Sequence, residues 1–416
     1  MSARARVHDG LSCLDPSARF KILAAIAATI AAPAAIAQQA PSTTEPAYSW
    51  PNVLLAPSGS PSYPAGPMRG MDVIKELDRA PDSTSPAKGN WVIAPIPFRN
   101  ELLGAGLVLG AGYLYGADDT ASGARHSVAA AAGMYAEGGS WTALGGHRGY
   151  WSDQRRRTTV AFATGQLNYD IELDVAGGER KFGLQQEFTG ITLEAAQKVG
   201  DSGWLGIGYR GGDTTVHIPR VANSLPEEIA PATTINLSNV LLTGELDTRD
   251  SDLYPHSGRY AQAEALIARH EYGSDYDYVS VELEWNAYRP IGAANVLAWR
   301  IAGKLVDGDP PFFAMSWFGA GVDLRGYTPG RYIGESMIAG QAEWRWQATP
   351  RWGFALFGGA GKVSGALGDI DTSSWLPAGG VGVRFRLTRA LPLNMRADFA
   401  WGRDDSTFSL SIGEAF

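Results

Sequence analysis

The chain has 416 residues, 51 of them Gly and 13 Trp, with 19% charged and 10% aromatic. A soluble enzyme of this size carries about 25% charge, so the composition already leans away from one. The formal net charge of -8 argues against nucleic acid as a partner, because phosphate binding is driven by Lys/Arg neutralisation and counterion release.

Residues 22–37, ILAAIAATIAAPAAIA, follow Arg19 and Lys21 and end in Ala35-Ile36-Ala37, the small-residue pattern of a signal-peptidase site. This predicts a cleaved secretion signal over 1–37. A membrane anchor is the alternative, but sixteen residues interrupted by Pro33 fall short of the roughly 20 needed to span. The single cysteine, Cys13, lies upstream of the cut, so the cleaved chain would carry no thiol, disulfide or Cys-based metal site. Residues 38–90 follow with Pro41, Pro46, Pro51, Pro57, Pro61, Pro64 and Pro67 in quick succession. Such a stretch lacks the apolar content to offset its ordering entropy, which predicts a disordered leader with at most one short helix near 71–77.

After residue 90 a period of two takes over. In VSVELEWNA, Val279, Val281, Leu283, Trp285 and Ala287 oppose Ser280, Glu282, Glu284 and Asn286. QAEWRWQ sets Ala342, Trp344 and Trp346 against Gln341, Glu343, Arg345 and Gln347, and VGVRFRL and LNMRADFAW repeat the arrangement. Fifteen such segments occur, near 103–115, 126–137, 141–151, 156–169, 185–199, 204–217, 233–248, 259–270, 276–288, 295–306, 336–347, 352–363, 376–387, 391–402 and 407–416. A further run at 91–98 contains Pro95 and Pro97, which cannot donate to a ladder and suit an edge or seam strand. No helical segment separates the strands, which excludes a parallel sheet and leaves an antiparallel meander.

Two closed forms compete, a soluble sandwich or propeller and a transmembrane barrel. Strand ends carry Tyr113, Tyr115, Trp151, Tyr169, Trp204, Tyr288, Trp352, Trp375 and Trp401, as an interfacial aromatic girdle requires. A closed barrel also satisfies every backbone N–H and C=O within lipid. The reading is therefore all-β, a transmembrane antiparallel barrel over 91–416 in the bacterial outer membrane. Even strand numbers are the rule for such barrels, which raises fifteen to sixteen and makes 307–335 the sixth extracellular loop.

That loop contains Leu324-Arg325-Gly326-Tyr327. At this position the chain resembles the BamA/TamA outer-membrane assembly superfamily, also called the bacterial surface antigen family, whose sixth loop carries [VIL]-R-G-[YF]. DTRDSDLYPHSG, with Asp247, Arg249, Asp250, Pro255 and Gly258, is similar to the family's periplasmic turn. The closing residues Phe408, Leu410, Ile412 and Phe416 look like its terminal insertion signal. The resemblance implies a loop folded back into the lumen, with Arg325 meeting polar and acidic side chains of the twelfth and thirteenth strands. Glu343 is then the obvious partner, and Arg345 lies on the same face. Two departures stand out. Gly359 occupies the position where the family places an Asp in F-x-D-x-G, and the leader is too short and proline-rich for a periplasmic POTRA module, which implies a barrel-only member.

Other patterns point to no chemistry. In GAGLVLG, residues 104–110, the glycines alternate along a strand and no helix follows to receive phosphate. GDSG at 200–203 sits in a turn without a His and Asp set. His126, His147, His217, His256 and His270 are scattered, which suggests no metal site. SDQRRR at 152–157 reads as a solvated turn, or else as a contact for lipopolysaccharide phosphate. No catalytic residue and no cofactor are expected. The resemblance implies help in inserting or translocating proteins or lipids, and the rival is a passive pore or structural surface antigen. Expected partners are outer-membrane lipid and lipopolysaccharide, the barrel assembly machinery during the protein's own insertion, and client proteins or a partner subunit.

Overall fold

The computed structural model describes residues 90–116, 127–152, 154–175, 178–217, 233–251, 254–319, 323–366, 369–387 and 394–416. The expected signal, the leader and its short helix lie outside them, apart from Asn90. The described strands are β1 Asn90–Asn100, β2 Gly104–Tyr115, β3 Ser127–Ala136, β4 Trp141–Trp151, β5 Arg156–Val175, β6 Gly178–Val199, β7 Gly203–His217 and β8 Thr233–Asp247. They continue as β9 Gly258–Ala268, β10 Tyr278–Ile291, β11 Asn295–Gly308, β12 Ser336–Gln347, β13 Trp352–Ser364, β14 Leu376–Arg386, β15 Asn394–Trp401 and β16 Ser406–Ile412. Each pairs antiparallel with the next in sequence, and β16 returns to β1, so the sheet closes as a sixteen-stranded barrel.

The alternation sets which side faces in, with a polarity opposite to that of a soluble core. On β12, Gln341, Glu343 and Arg345 are buried while Trp344 and Trp346 are 45% exposed. Leu107, Leu109, Val160, Phe162, Ile207, Ile301 and Leu356 also lie outside, and Arg148, Arg157, Arg300, Arg384 and Asp398 lie inside. An apolar exterior wrapped round a charged interior is stable only where lipid replaces water outside, and this excludes the soluble sandwich. Three members of the expected aromatic girdle turn inward instead. Tyr169, Tyr288 and Trp204 are buried, because a strand-end position faces lipid only when its parity matches the outer face.

Two extents differ from the periodicity. β5 and β6 pair from Arg156–Gln197 to Val175–Gly178, whereas β4 reaches only Gln166 and β7 only Gln185. The outer part is a ribbon that no neighbouring strand joins. At the other extreme β16 ends at Ile412, and residues 413–416 leave the wall.

Closure of the wall is uneven. β1 pairs with β2 along its whole length, from Asn90–Leu114 to Asn100–Gly104, while β1 and β16 share one pair, Arg99–Leu410. Above it, the tight turn after β1 is held by Asn100 Oδ1, which accepts from Leu102 and Leu103 N at 3.1 and 2.8 Å. There the Glu101 carboxylate takes the place of backbone, accepting from Phe408 N at 2.6 Å.

Loop 309–335 is narrowed at its base by a two-residue ribbon, Ser316–Trp317 against Ile333–Gly334. Its apolar residues pack inward in three directions. Trp317 joins Leu103, Leu167, Tyr169 and Phe188, Phe313 joins Ile235, Tyr278 and Val306, and Phe318 joins Met337, Ala339 and Leu376.

Candidate functional site

The loop motif lies against β12 to β15. Leu324 is 1% exposed and packs with Phe318, Tyr327 and Met337. Every nitrogen of the Arg325 guanidinium has its own acceptor: Nε donates to Gln341 Oε1 at 2.9 Å, Nη1 to Asp398 Oδ2 at 2.6 Å and Nη2 to Glu343 Oε2 at 2.6 Å. The Phe357 ring closes one face, with its centroid 3.4 Å from the guanidinium carbon. A planar fork with charged acceptors on two sides and an aromatic plane beneath is an arrangement that lysine cannot reproduce.

Gly326 is held at φ +109, and a Cβ there would sit 3.0 Å from the Trp401 backbone, so both the conformation and the space call for glycine. Tyr327 spans to the neighbouring strands, its hydroxyl donating to Pro377 O at 2.6 Å and accepting from Arg403 N at 3.1 Å. The Thr328 amide donates to Asp405 Oδ2 at 2.6 Å. The motif is thereby tied to the turn between β15 and β16, beside the thin closure of the wall.

Behind Arg325 the ion pairs continue. Arg345 Nε reaches Glu343 Oε1 at 2.7 Å, Arg384 Nη1 reaches Asp398 Oδ1 at 2.5 Å and Nη2 reaches Glu343 Oε2 at 3.3 Å, and Arg396 Nη1 reaches Asp398 Oδ2 at 3.2 Å. Charges taken so far from water persist only because each has opposite neighbours and hydrogen bonds. Among the expected residues, Glu343 thus touches Arg325 directly, whereas Arg345 is not a partner of Arg325. The two arginines share one carboxylate, since like charges on one face can meet only through an anion between them.

The acid missing at Gly359 has a structural counterpart elsewhere. Asp398 on β15 supplies the second carboxylate, and a Cβ at Gly359 would lie 2.2 Å from Gly340 O and 2.8 Å from Leu324 Cδ1. Leu324 therefore fills the space that a side chain there would need. Gly359→Ala is expected to raise the protease sensitivity of loop 309–335 without releasing the barrel from the membrane, read by limited trypsinolysis of intact membranes.

At the opposite end, Arg249 grips Asp247 through two bonds of 3.0 and 2.9 Å and lies over the Tyr260 ring at 4.4 Å. Asp250 Oδ1 accepts from the His256 and Ser257 amides at 2.9 and 3.1 Å, and Pro255 is buried. Gly258 has φ +97, with a Cβ position 2.2 Å from Thr248 O. Gly258→Ala is expected to lower stability by about 1–3 kcal/mol, measured as a shifted denaturant midpoint with unchanged slope.

Two expectations need correction. SDQRRR is not simply a solvated turn: Arg157 is buried, 3.2 Å from Glu245 and 3.6 Å from Glu194, because its position on β5 points inward. The turn also lies at the end opposite loop 309–335, away from the lipopolysaccharide leaflet that the expected topology assigns to that loop. Phe416 does not stand on the last strand with Phe408 and Leu410. It is 1% exposed, as Ile412 is 5%, while Phe408 is 42% exposed on the outer face. Asp398, Gln341, Phe357 and Glu414 were not singled out as contacts from sequence, although the alternation of LNMRADFAW already put Asp398 on the polar face. Among the described residues no group of three or more His, Cys, Asp or Glu is placed to hold a metal ion.

A family model for the Omp85 superfamily domain matches residues 181–416, more than half of the chain. The chain belongs to the Omp85 superfamily. No curated protein sequence matches it. Solved structures are similar in fold: BamA from Haemophilus ducreyi lacking POTRA domains 1–3 gives a TM-score of 0.57 at 11% identity, covering 78% of this chain and 70% of that one. CdiB from Acinetobacter baumannii gives 0.51 at 10%, covering 78% and 59%, and CdiB from Escherichia coli gives 0.51 at 8%, covering 78% and 62%. At these identities the likeness is one of fold, and this Omp85 chain spans less than two thirds of either CdiB.

Proposed function

We propose that this Omp85 barrel helps insert or translocate proteins, or lipids, at the bacterial outer membrane, and that it works at the junction of β1 and β16. The observation that carries this reading is the single backbone pair, Arg99–Leu410, at which the wall closes. Unpaired strand edges recruit other strands, so the free length of β1 is a template for a client strand. Pro95 and Pro97 contribute no N–H donors, which keeps the native closure weak. Bilayer thinning beside a short closure lowers the barrier for the incoming strand. The loop motif serves as a brace for the β15–β16 hairpin, and no covalent chemistry enters the reading. Client proteins, a partner subunit and the assembly machinery are the partners it calls for.

A disulfide between Arg99→Cys and Leu410→Cys tests it. Under oxidising conditions the locked barrel is expected to lose at least about tenfold in the rate at which an unfolded client barrel is inserted into proteoliposomes, with recovery on reduction. A rate indifferent to the lock would leave a passive barrel as the surviving account.

A further inference from the structure

Beyond Ile412 the chain turns into the barrel, and Glu414, Ala415 and Phe416 are 1%, 4% and 1% exposed. Gly413 N donates to Asn394 O at 2.8 Å. Glu414 Oε2 accepts from Arg384 Nε at 2.8 Å and lies 3.7 Å from Arg345 Nε, and its Oε1 accepts from Asn394 Nδ2 at 2.7 Å. The Phe416 ring packs with Tyr288, Val296 and Ala298, and the guanidinium carbons of Arg300 and Arg345 lie 4.9 and 5.4 Å from its centroid. Its main-chain oxygen accepts from Arg345 Nη2 at 2.6 Å.

Arg345 and Arg384, which grip this segment, also hold Glu343 and Asp398, the carboxylates on either side of Arg325. From the sixth loop to residues 413–416 the chain of contacts is therefore Arg325, one carboxylate, one arginine, Glu414. We infer that Glu414 and Phe416 are positioning residues for the wall closure, coupled to the sixth loop through Arg345 and Arg384, so that release of either the loop or the segment loosens the other. The inference rests on the reading of β1 as the working edge. Continuing the Arg99–Leu410 register would set Glu414 opposite Pro95 and Phe416 opposite Ile93. Docked inside, the segment leaves that part of β1 unoccupied. Freed, it competes for the edge that a client would use.

Coupling of this kind is reciprocal, and hydrogen exchange on the full barrel in nanodiscs reads both ends. Glu414→Gln keeps the shape and removes the charge that Arg384 and Arg345 share. It is expected to speed exchange of amides in 323–334 by about 5- to 150-fold, the usual range for coupled sites, and Arg325→Ala is expected to do the same to 413–416. Phe416→Ala, which alters no charge, is the second variant should Glu414→Gln fail to give a heat-modifiable barrel, and it is expected to move the loop in the same direction. Faster exchange in 413–416 with the loop unchanged would overturn the coupling, as would no change at either end in any variant. Neither result depends on client insertion, so the coupling can fail while the disulfide lock still succeeds, and the reverse.

Discussion

Glu343→Ala is expected to cost this barrel about 5 kcal/mol, the upper end for breaking a buried ion pair, because one carboxylate serves three guanidinium groups. Its two oxygens take Arg325 and Arg345 at 2.6 and 2.7 Å, with Arg384 at 3.3 Å. Without it, three cations remain close together in a dry interior, and Asp398 and Glu414 are already committed to Arg384 and its neighbours. Glu343→Gln keeps the volume and part of the hydrogen bonding, so it should fall between the wild type and the alanine variant. The measurement is the urea midpoint of the barrel in detergent or bilayer, followed by heat-modifiable migration. A loss below about 1 kcal/mol, the range of a solvated pair, would mean that the cluster is open to water.

Arg325→Ala is expected to act differently, at about 3 kcal/mol and mainly on the loop. Removing this guanidinium leaves Glu343 with Arg345 and Arg384, and Asp398 with Arg384 and Arg396. Neither carboxylate is orphaned, so the wall should survive while loop 309–335 loses its anchor. Trypsin is expected to cut within the loop, at Arg331, in the variant but not in the parent, with the barrel still embedded. Arg325→Lys should protect only partly, since an ammonium cannot serve Gln341, Glu343 and Asp398 together while lying flat on Phe357. Equal cleavage of parent and Arg325→Ala would show that the guanidinium does not hold the loop.

Much of the wall could be read from period-two alternation, since Trp344 and Trp346 against Glu343 and Arg345 already separate a lipid face from an interior. Strand parity placed 307–335 between the eleventh and twelfth strands, and the resemblance suggested that Arg325 meets Glu343. Alternation reports a face, however, and not which strands a loop will reach. Asp398, 73 residues from Arg325 in sequence, joins the site through the stagger of β12 to β15, which no local pattern encodes. The inward course of 413–416 was equally hidden. Alternation would set Glu414 on the lipid face with Phe408, Leu410 and Ile412, a place that a carboxylate does not suit, and the arginines converging from β11, β12 and β14 give it a better place inside. The ribbon of β5 and β6 ran past the expected ends because a hairpin can extend its ladder without an apolar face.

Closure of the wall at one backbone pair is measured by cysteine-pair oxidation in native membranes. With Cys13, the single native cysteine, replaced by serine, Arg99→Cys with Leu410→Cys is expected to cross-link readily. Ile93→Cys with Phe416→Cys, the positions that an uninterrupted continuation of the register would bring together, is expected to stay reduced. Cross-linking of both pairs to the same extent would show a wall zipped along its full length, and it would contradict the free β1 edge from which the proposed activity follows.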